Sequence, residues 1–156
     1  MGAGESAKRA THLIRRVTVS EAAQVRALVQ AVVDEVYGGM WAPAPLAIGD
    51  DDWTQGWISI VDDEIVGVTL TSHDVLDDLW VARGHRGRGI GAALLAVAER
   101  EIFDRGHRRA RLNVIAANTG ARRFYVHHGW SEARALTDER IAVDKIEMVK
   151  VFSSAR

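Results

Sequence analysis

Leu79-Trp80-Val81-Ala82-Arg83-Gly84-His85-Arg86-Gly87-Arg88-Gly89-Ile90-Gly91 is the stretch on which the fold turns. Ahead of it, Val75 to Ala82 is apolar enough to form a strand. Behind it, Ala92 to Phe103 places Leu94, Leu95, Val97, Ala98 and Ile102 in one stripe at helical spacing. A strand that passes through a glycine turn into a helix makes a seat for an anion. The first N–H groups of the helix have no partner within it, and its dipole puts partial positive charge at that end. Glycines at 87, 89 and 91 let the backbone come close to a phosphate, and Arg86 and Arg88 add charge.

Other phosphate loops fit poorly. A nucleoside-triphosphate loop ends in Gly-Lys-Ser/Thr, whereas this chain has Gly91-Ala92-Ala93. A dinucleotide fingerprint on Gly87-x-Gly89-x-x-Ala92 needs an acid after the next strand to hold a ribose, and Arg105 to Ser131 contains none. A tight turn that needs glycine only for its geometry accounts for the glycines but not for the arginines beside them.

Working outward, His12 to Val17 reads as a first strand. Thr18-x-x-Glu21 is a capping box, followed by Ala22, Val25, Leu28, Val29, Val32, Val33 and Val36 at helical spacing up to Gly38-Gly39. Residues 40 to 56 are irregular, the kind of loop that contacts substrate if it covers a site. Trp57 to Val61 and Ile65 to Thr71 form a hairpin about Asp62-Asp63-Glu64. After the central helix come Gly106 as a cap, a strand at Arg111 to Ala116, a short helix from Thr119 to His128 closed by Gly129, and a last strand at Ile146 to Phe152. A further strand fits between Trp130 and Val143. The pattern is a mixed α/β domain over residues 11–156, with a loose tail at 1–10.

Composition restricts the function classes. The chain of 156 residues is 47% apolar and 26% charged, as ordinary globular proteins are, and its net charge of −1 provides no global field towards nucleic acid or an anionic membrane. It has no cysteine, which excludes disulfides and thiolate chemistry. No apolar run reaches the roughly 18 residues that span a bilayer, and the first residues lack the apolar core of a secretory signal. A cytoplasmic protein is expected. Adjacent His127-His128 face different ways on a helix, so no metal site is expected. His85 and His107 read as surface loop residues, and Trp41, Trp53 and Trp57 as core before any aromatic substrate wall. Acids gather at 50–52, 62–64 and 74–78, while no acid falls between Asp104 and Glu132.

A second element, Asn118-Thr119-Gly120-Ala121-Arg122-Arg123-Phe124-Tyr125 followed by Gly129-Trp130, stands downstream of the glycine loop. Together the two resemble the signature of the GNAT acetyltransferase superfamily, in which the loop reads Arg/Gln-x-x-Gly-x-Gly/Ala. Arg83 stands where many relatives carry proline. The resemblance spans about residues 11 to 152 and implies a GNAT-like mixed sheet, with splayed central strands at 75–82 and 111–116 and flanking helices. It implies acetyl-coenzyme A as acetyl donor and a primary amine as acceptor. Main-chain groups of Leu79, Trp80 and Val81 would pair with the pantetheine arm like an added strand. The amides of Arg86, Gly87, Arg88, Gly89, Ile90 and Gly91 would surround the pyrophosphate. Asn118 would bond the pantetheine or the nearby backbone, and Tyr125 would stand beside the thioester sulfur. Relatives are often dimers, so a homodimer is expected by analogy.

The chemistry asks for a neutral amine, a stabilised carbonyl oxygen and a proton for the leaving thiolate. A backbone N–H near Val81 is a natural oxyanion donor. A phenol, with a reference pKa of about 10, keeps its proton at neutral pH and suits Tyr125 to the thiolate. Asp77 and Asp78, on the strand before the loop, are the candidate catalytic acids for handling the amine; two acids here resemble GNAT enzymes acting on polyamines or aminosugars. Strand alternation groups Asp78 with Trp80, and Asp77 with Leu79 and Val81. If the latter two face the core helix, Asp78 faces the slot. A bulge would reverse that. His73, Asp74 and a held water are further candidates for the base. Three functions stay open: acetyl transfer to a small-molecule amine, acetyl transfer to a peptide, and a non-catalytic acyl-coenzyme-A-binding module.

Overall fold

The computed structural model describes residues 12–38, 51–139 and 143–153. The expectations placed on the first residues, on Trp41 and on most of the irregular loop lie outside them. The elements are β1 (His12–Arg16), α1 (Ala22–Tyr37), β2 (Trp57–Val61), β3 (Glu64–Ser72), β4 (Val75–Val81), α2 (Ile90–Asp104), β5 (Arg109–Ile115), α3 (Thr119–His127), β6 (Ser131–Asp138) and β7 (Val143–Val151). Short 3-10 turns at Val19–Glu21, Trp53–Gln55 and Arg83–His85 lead into α1, β2 and the glycine loop. The hydrogen-bonded strand order is β1-β2-β3-β4-β5-β7-β6. β1 with β2, β2 with β3, β5 with β7 and β6 with β7 pair antiparallel, whereas β4 with β5 is parallel and held at Val75↔Arg111, as expected of central strands that splay. The mixed α/β class and the extra strand before Val143 are as the sequence predicts.

Two compact units divide the chain, Met1–Leu70 with Leu79–Leu95, and Thr71–Asp78 with Ala96–Arg156. In the first, α1 buries Val25, Val29, Val32 and Val33 of the predicted stripe, with Ala22, Leu28 and Val36 half-buried and Tyr37 buried in addition. Glu21 opens this helix. Its carboxylate accepts the Thr18 N–H at 3.0 Å and both Nη groups of Arg15 at 2.8 and 2.7 Å. These bonds, Arg15 first, bring its pKa down to about 2. Asp62 and Asp63 turn the β2–β3 hairpin at φ of 50° and 66°, a conformation that Asp tolerates better than most residues. Val61, Val66, Ile90 and Leu94 form a core cluster on which Ile14, Leu79 and Val81 pack. Gly67 allows this closeness: a Cβ there would lie 2.8 Å from Leu94 Cδ1 and 3.2 Å from the Trp80 carbonyl oxygen. Trp53 is buried and Trp57 lies under the Arg16 guanidinium at 4.3 Å, so both are structural.

The second unit buries Leu76, Ala98, Ile102, Ala110, Leu112, Val114, Tyr125, Trp130 and Met148. Gly106 and Gly129, at φ of 98° and 93°, close α2 and α3 as expected. Strand β7 starts at Val143, earlier than Ile146, because Val143 to Lys145 pair with Asp138 to Leu136 in the hairpin with β6. Among the described residues no helix is long and apolar enough to cross a membrane.

Candidate functional site

Helix α2 begins at Ile90, two residues before the apolar stripe suggests. The reason is the turn ahead of it. Gly87 and Gly89 sit at φ of 76° and 82°, where an L side chain is strained, and Ile90 is buried at once beside Leu94. The Ala93 N–H donates to the Gly89 carbonyl at 3.0 Å, so the N–H groups of Ile90, Gly91 and Ala92 precede the first helical bond. No acid stands in the first turn, and beside Gly87 and Gly89 an added Cβ would meet no protein atom within 4 Å. A positive helix end, an open backbone and a first turn without acid fit an anion.

The arginines of this loop differ. Arg86 is engaged within the protein: its Nη groups donate to Glu35 of α1 at 2.8 and 2.6 Å, and its Nε to the Val81 carbonyl at 3.1 Å. Hydrogen bonding to Arg86 holds the Glu35 carboxyl below its ordinary pKa. Arg88 is exposed, and no described residue partners its guanidinium. The peptide joining Val81 to Ala82 is held on both sides, since the Ala82 N–H donates to the Val66 carbonyl at 2.8 Å. Leu79 and Val81 pack on the cluster containing Ile90 and Leu94 of α2, while Trp80 meets Tyr37 of α1 edge-on at 6.5 Å and 84°. His85 departs from expectation. It is half-buried, and its Nδ1 is shielded from solvent without a hydrogen-bond partner.

In the second unit, Asp77 and Asp78 separate by environment. Asp77 is exposed and accepts the Ser72 hydroxyl at 2.5 Å. Asp78 is half-buried with Oδ2 shielded from solvent. Because Leu79 and Val81 face the α2 side, alternation puts Asp78 on the other face of β4. His73 and Asp74 form the β3–β4 turn. Asp74 pairs with Arg111 at 3.3 Å, and Arg105 donates to the His73 carbonyl at 3.0 Å. Both therefore have structural partners within the second unit.

Asn118 caps α3, its Oδ1 accepting the Ala121 N–H at 3.1 Å. About two helical turns on, Tyr125 is buried, edge-on to Phe124 at 5.3 Å and Trp130 at 5.9 Å. Trp130 is tied in turn. Its Nε1 donates to Glu99 of α2 at 3.1 Å, Lys150 Nζ donates to the same carboxylate at 2.7 Å, and that ammonium also reaches the His128 carbonyl at 2.8 Å. The far face of α3, with Thr119, Arg122, Arg123, Val126 and His127, joins Glu132 of β6 around an open cavity of about 500 Å³. Among the described residues no three His, Cys, Asp or Glu side chains could hold a metal ion.

The GNAT acetyltransferase family model matches residues 29–130, about two thirds of the chain. The chain belongs to the GNAT acetyltransferase family. It is therefore an acetyl-coenzyme-A-dependent acetyltransferase, and the anion seat at the start of α2 fits that cofactor. Solved structures share the fold. The PaiA N-acetyltransferase of Thermoplasma acidophilum, in complex with coenzyme A, is 16% identical with a TM-score of 0.71 and covers 91% of this chain and 99% of its own. Nourseothricin acetyltransferase is 20% identical with a TM-score of 0.70, covering 91% and 99%. Naa50 of Arabidopsis thaliana, in complex with the bisubstrate analogue CoA-Ac-MVNAL, is 18% identical with a TM-score of 0.68, covering 90% and 99%. No curated protein matches the acetyltransferase by sequence.

Proposed function

We propose that this acetyltransferase moves the acetyl group of acetyl-coenzyme A to the primary amine of a small molecule by direct attack in a ternary complex. The amides from Arg86 to Gly91 hold the pyrophosphate, and backbone groups of Leu79 to Val81, with Asn118, hold the pantetheine. Carrying the acceptor half of the reading is Asp78, a half-buried carboxyl with one shielded oxygen on the strand that runs into the cofactor loop. A carboxylate in that setting binds an ammonium and takes its proton, directly or through a water. The neutral amine nitrogen bonds to the thioester carbonyl carbon, a backbone N–H near Val81 stabilises the oxygen, and the carbon–sulfur bond breaks while the nitrogen releases its surplus proton to water. The Tyr125 hydroxyl gives the departing thiolate its proton. A cytoplasmic location and a homodimer belong to the same reading, from composition and family analogy.

A second reading, a peptide amine as acceptor, is favoured by the peptide-bearing analogue bound to Naa50. Thiol release measured across polyamines, aminosugars and short peptides separates the two. The proposal expects a free amine to win, with Asp78→Asn raising KM for that amine and leaving the affinity for coenzyme A within about twofold. Tyr125→Phe should lower kcat by about 100-fold, the low end of general acid contributions, while coenzyme A binds as before. Turnover of peptides alone would refute the small-molecule acceptor. Equal losses of turnover and cofactor affinity in Tyr125→Phe would refute the acid role.

A further inference from the structure

We propose that Glu35 is a positioning residue for the cofactor loop, acting through Arg86, and that the Arg86 guanidinium serves the loop's shape and not the phosphates. The inference rests on reading Arg86 to Gly91 as the pyrophosphate seat. Nε and both Nη groups of Arg86 are engaged, two of them by one carboxylate in a side-by-side pair and the third by the strand end at Val81. A planar fork fixed at three nitrogens has lost its torsional freedom, so it clamps the residue that begins the turn. Gly87, with φ of 76°, follows directly. Two residues beyond Glu35, Tyr37 meets Trp80, so the last turn of α1 touches both the strand and the loop. Electrostatics point the same way. Glu35 neutralises Arg86, so the positive charge that the loop itself offers a pyrophosphate is that of the helix end and of Arg88, with Arg83 near by in the preceding turn.

These two roles for Arg86 predict opposite signs. A carboxylate beside the phosphates repels them, so if Arg86 gripped phosphate, Glu35→Gln would free it and tighten coenzyme A binding. If Glu35 positions the loop, the same change weakens binding in spite of the charge removed. The test measures dissociation constants by calorimetry for coenzyme A and for pantetheine, which lacks the pyrophosphate, with wild type, Glu35→Gln, Arg86→Gln and the double variant. Each single variant should weaken coenzyme A by about fivefold, the upper range for an exposed pair. The double variant should match the singles, because the two residues act as a unit. Pantetheine binding should be unchanged throughout, which a general loss of fold would not leave intact. Unchanged or tighter coenzyme A binding in Glu35→Gln overturns the proposal, as does a loss in Arg86→Gln far exceeding that in Glu35→Gln, or an equal loss for both ligands. A wild type that binds coenzyme A no better than pantetheine would instead refute the pyrophosphate seat, and the positioning role of Glu35 with it.

Discussion

Gly89→Ala isolates the backbone contribution of the cofactor loop. Gly89 has a φ of 82°, and an added Cβ would meet no protein atom within 4 Å, so packing contributes nothing to the change. What remains is the left-handed backbone, about 1–2 kcal/mol for an L residue, offset by about 0.4–1 kcal/mol because alanine narrows the unfolded ensemble. The net loss is about 1 kcal/mol, a fall in Tm of roughly 2–4 °C at this chain length. Thermal melts with and without coenzyme A then separate shape from binding. A ligand at 100 times its Kd raises stability by about 2.7 kcal/mol. In Gly89→Ala that gain should shrink, since a tenfold weaker Kd removes about 1.4 kcal/mol of it. An apo Tm unchanged to within about 1 °C would refute the requirement for glycine conformation. A full ligand-induced shift would refute the loop as the seat of the pyrophosphate.

Two other changes probe the first unit. Gly67→Val pushes branched methyl groups into the space of Leu94 Cδ1 and the Trp80 carbonyl, and should cost about 1–3 kcal/mol or more in urea unfolding; a variant as stable as the parent would show that α2 does not rest on β3 there. Glu21, whose pKa falls to about 2 in the fold, contributes stability that is present above its unfolded value of 4.5 and is lost as pH falls towards 2. In Glu21→Gln the melting temperature should therefore lose less between pH 5 and pH 2 than in wild type, and identical slopes would dismiss the Arg15–Glu21–Thr18 cluster as a source of acid sensitivity.

The features legible in the sequence are those whose cause is local. Thr18 and Glu21 are three apart, the Asp62-Asp63 turn lies between two alternating runs, and Gly106 and Gly129 stand where the helices stop. Strand pattern also placed Leu79 and Val81 on one face and Asp78 on the other. What the sequence hid is set by tertiary partners. Glu35 and Arg86 are 51 residues apart, as are Glu99 and Lys150, and nothing in either neighbourhood announces the other. The charge of Arg86 is visible, but its engagement by α1 is not. The early start of α2 was missed for a related reason: the periodicity weighs Leu94 and Ile102, whereas the helix is started by the backbone twist at Gly89 and by the burial of Ile90.

The peptide between Val81 and Ala82 sets a boundary for anything that extends the sheet along β4. Its N–H faces Val66 and its oxygen faces Arg86, so the ladder that the strand can offer a guest finishes one step earlier. A pantetheine arm laid along β4, as proposed above, would meet this end stop. The stop also excludes the Ala82 N–H as the oxyanion donor and turns attention to that of Val81. A thioester measured off against such a stop would present its carbonyl at a fixed depth, whatever amine arrives to meet it.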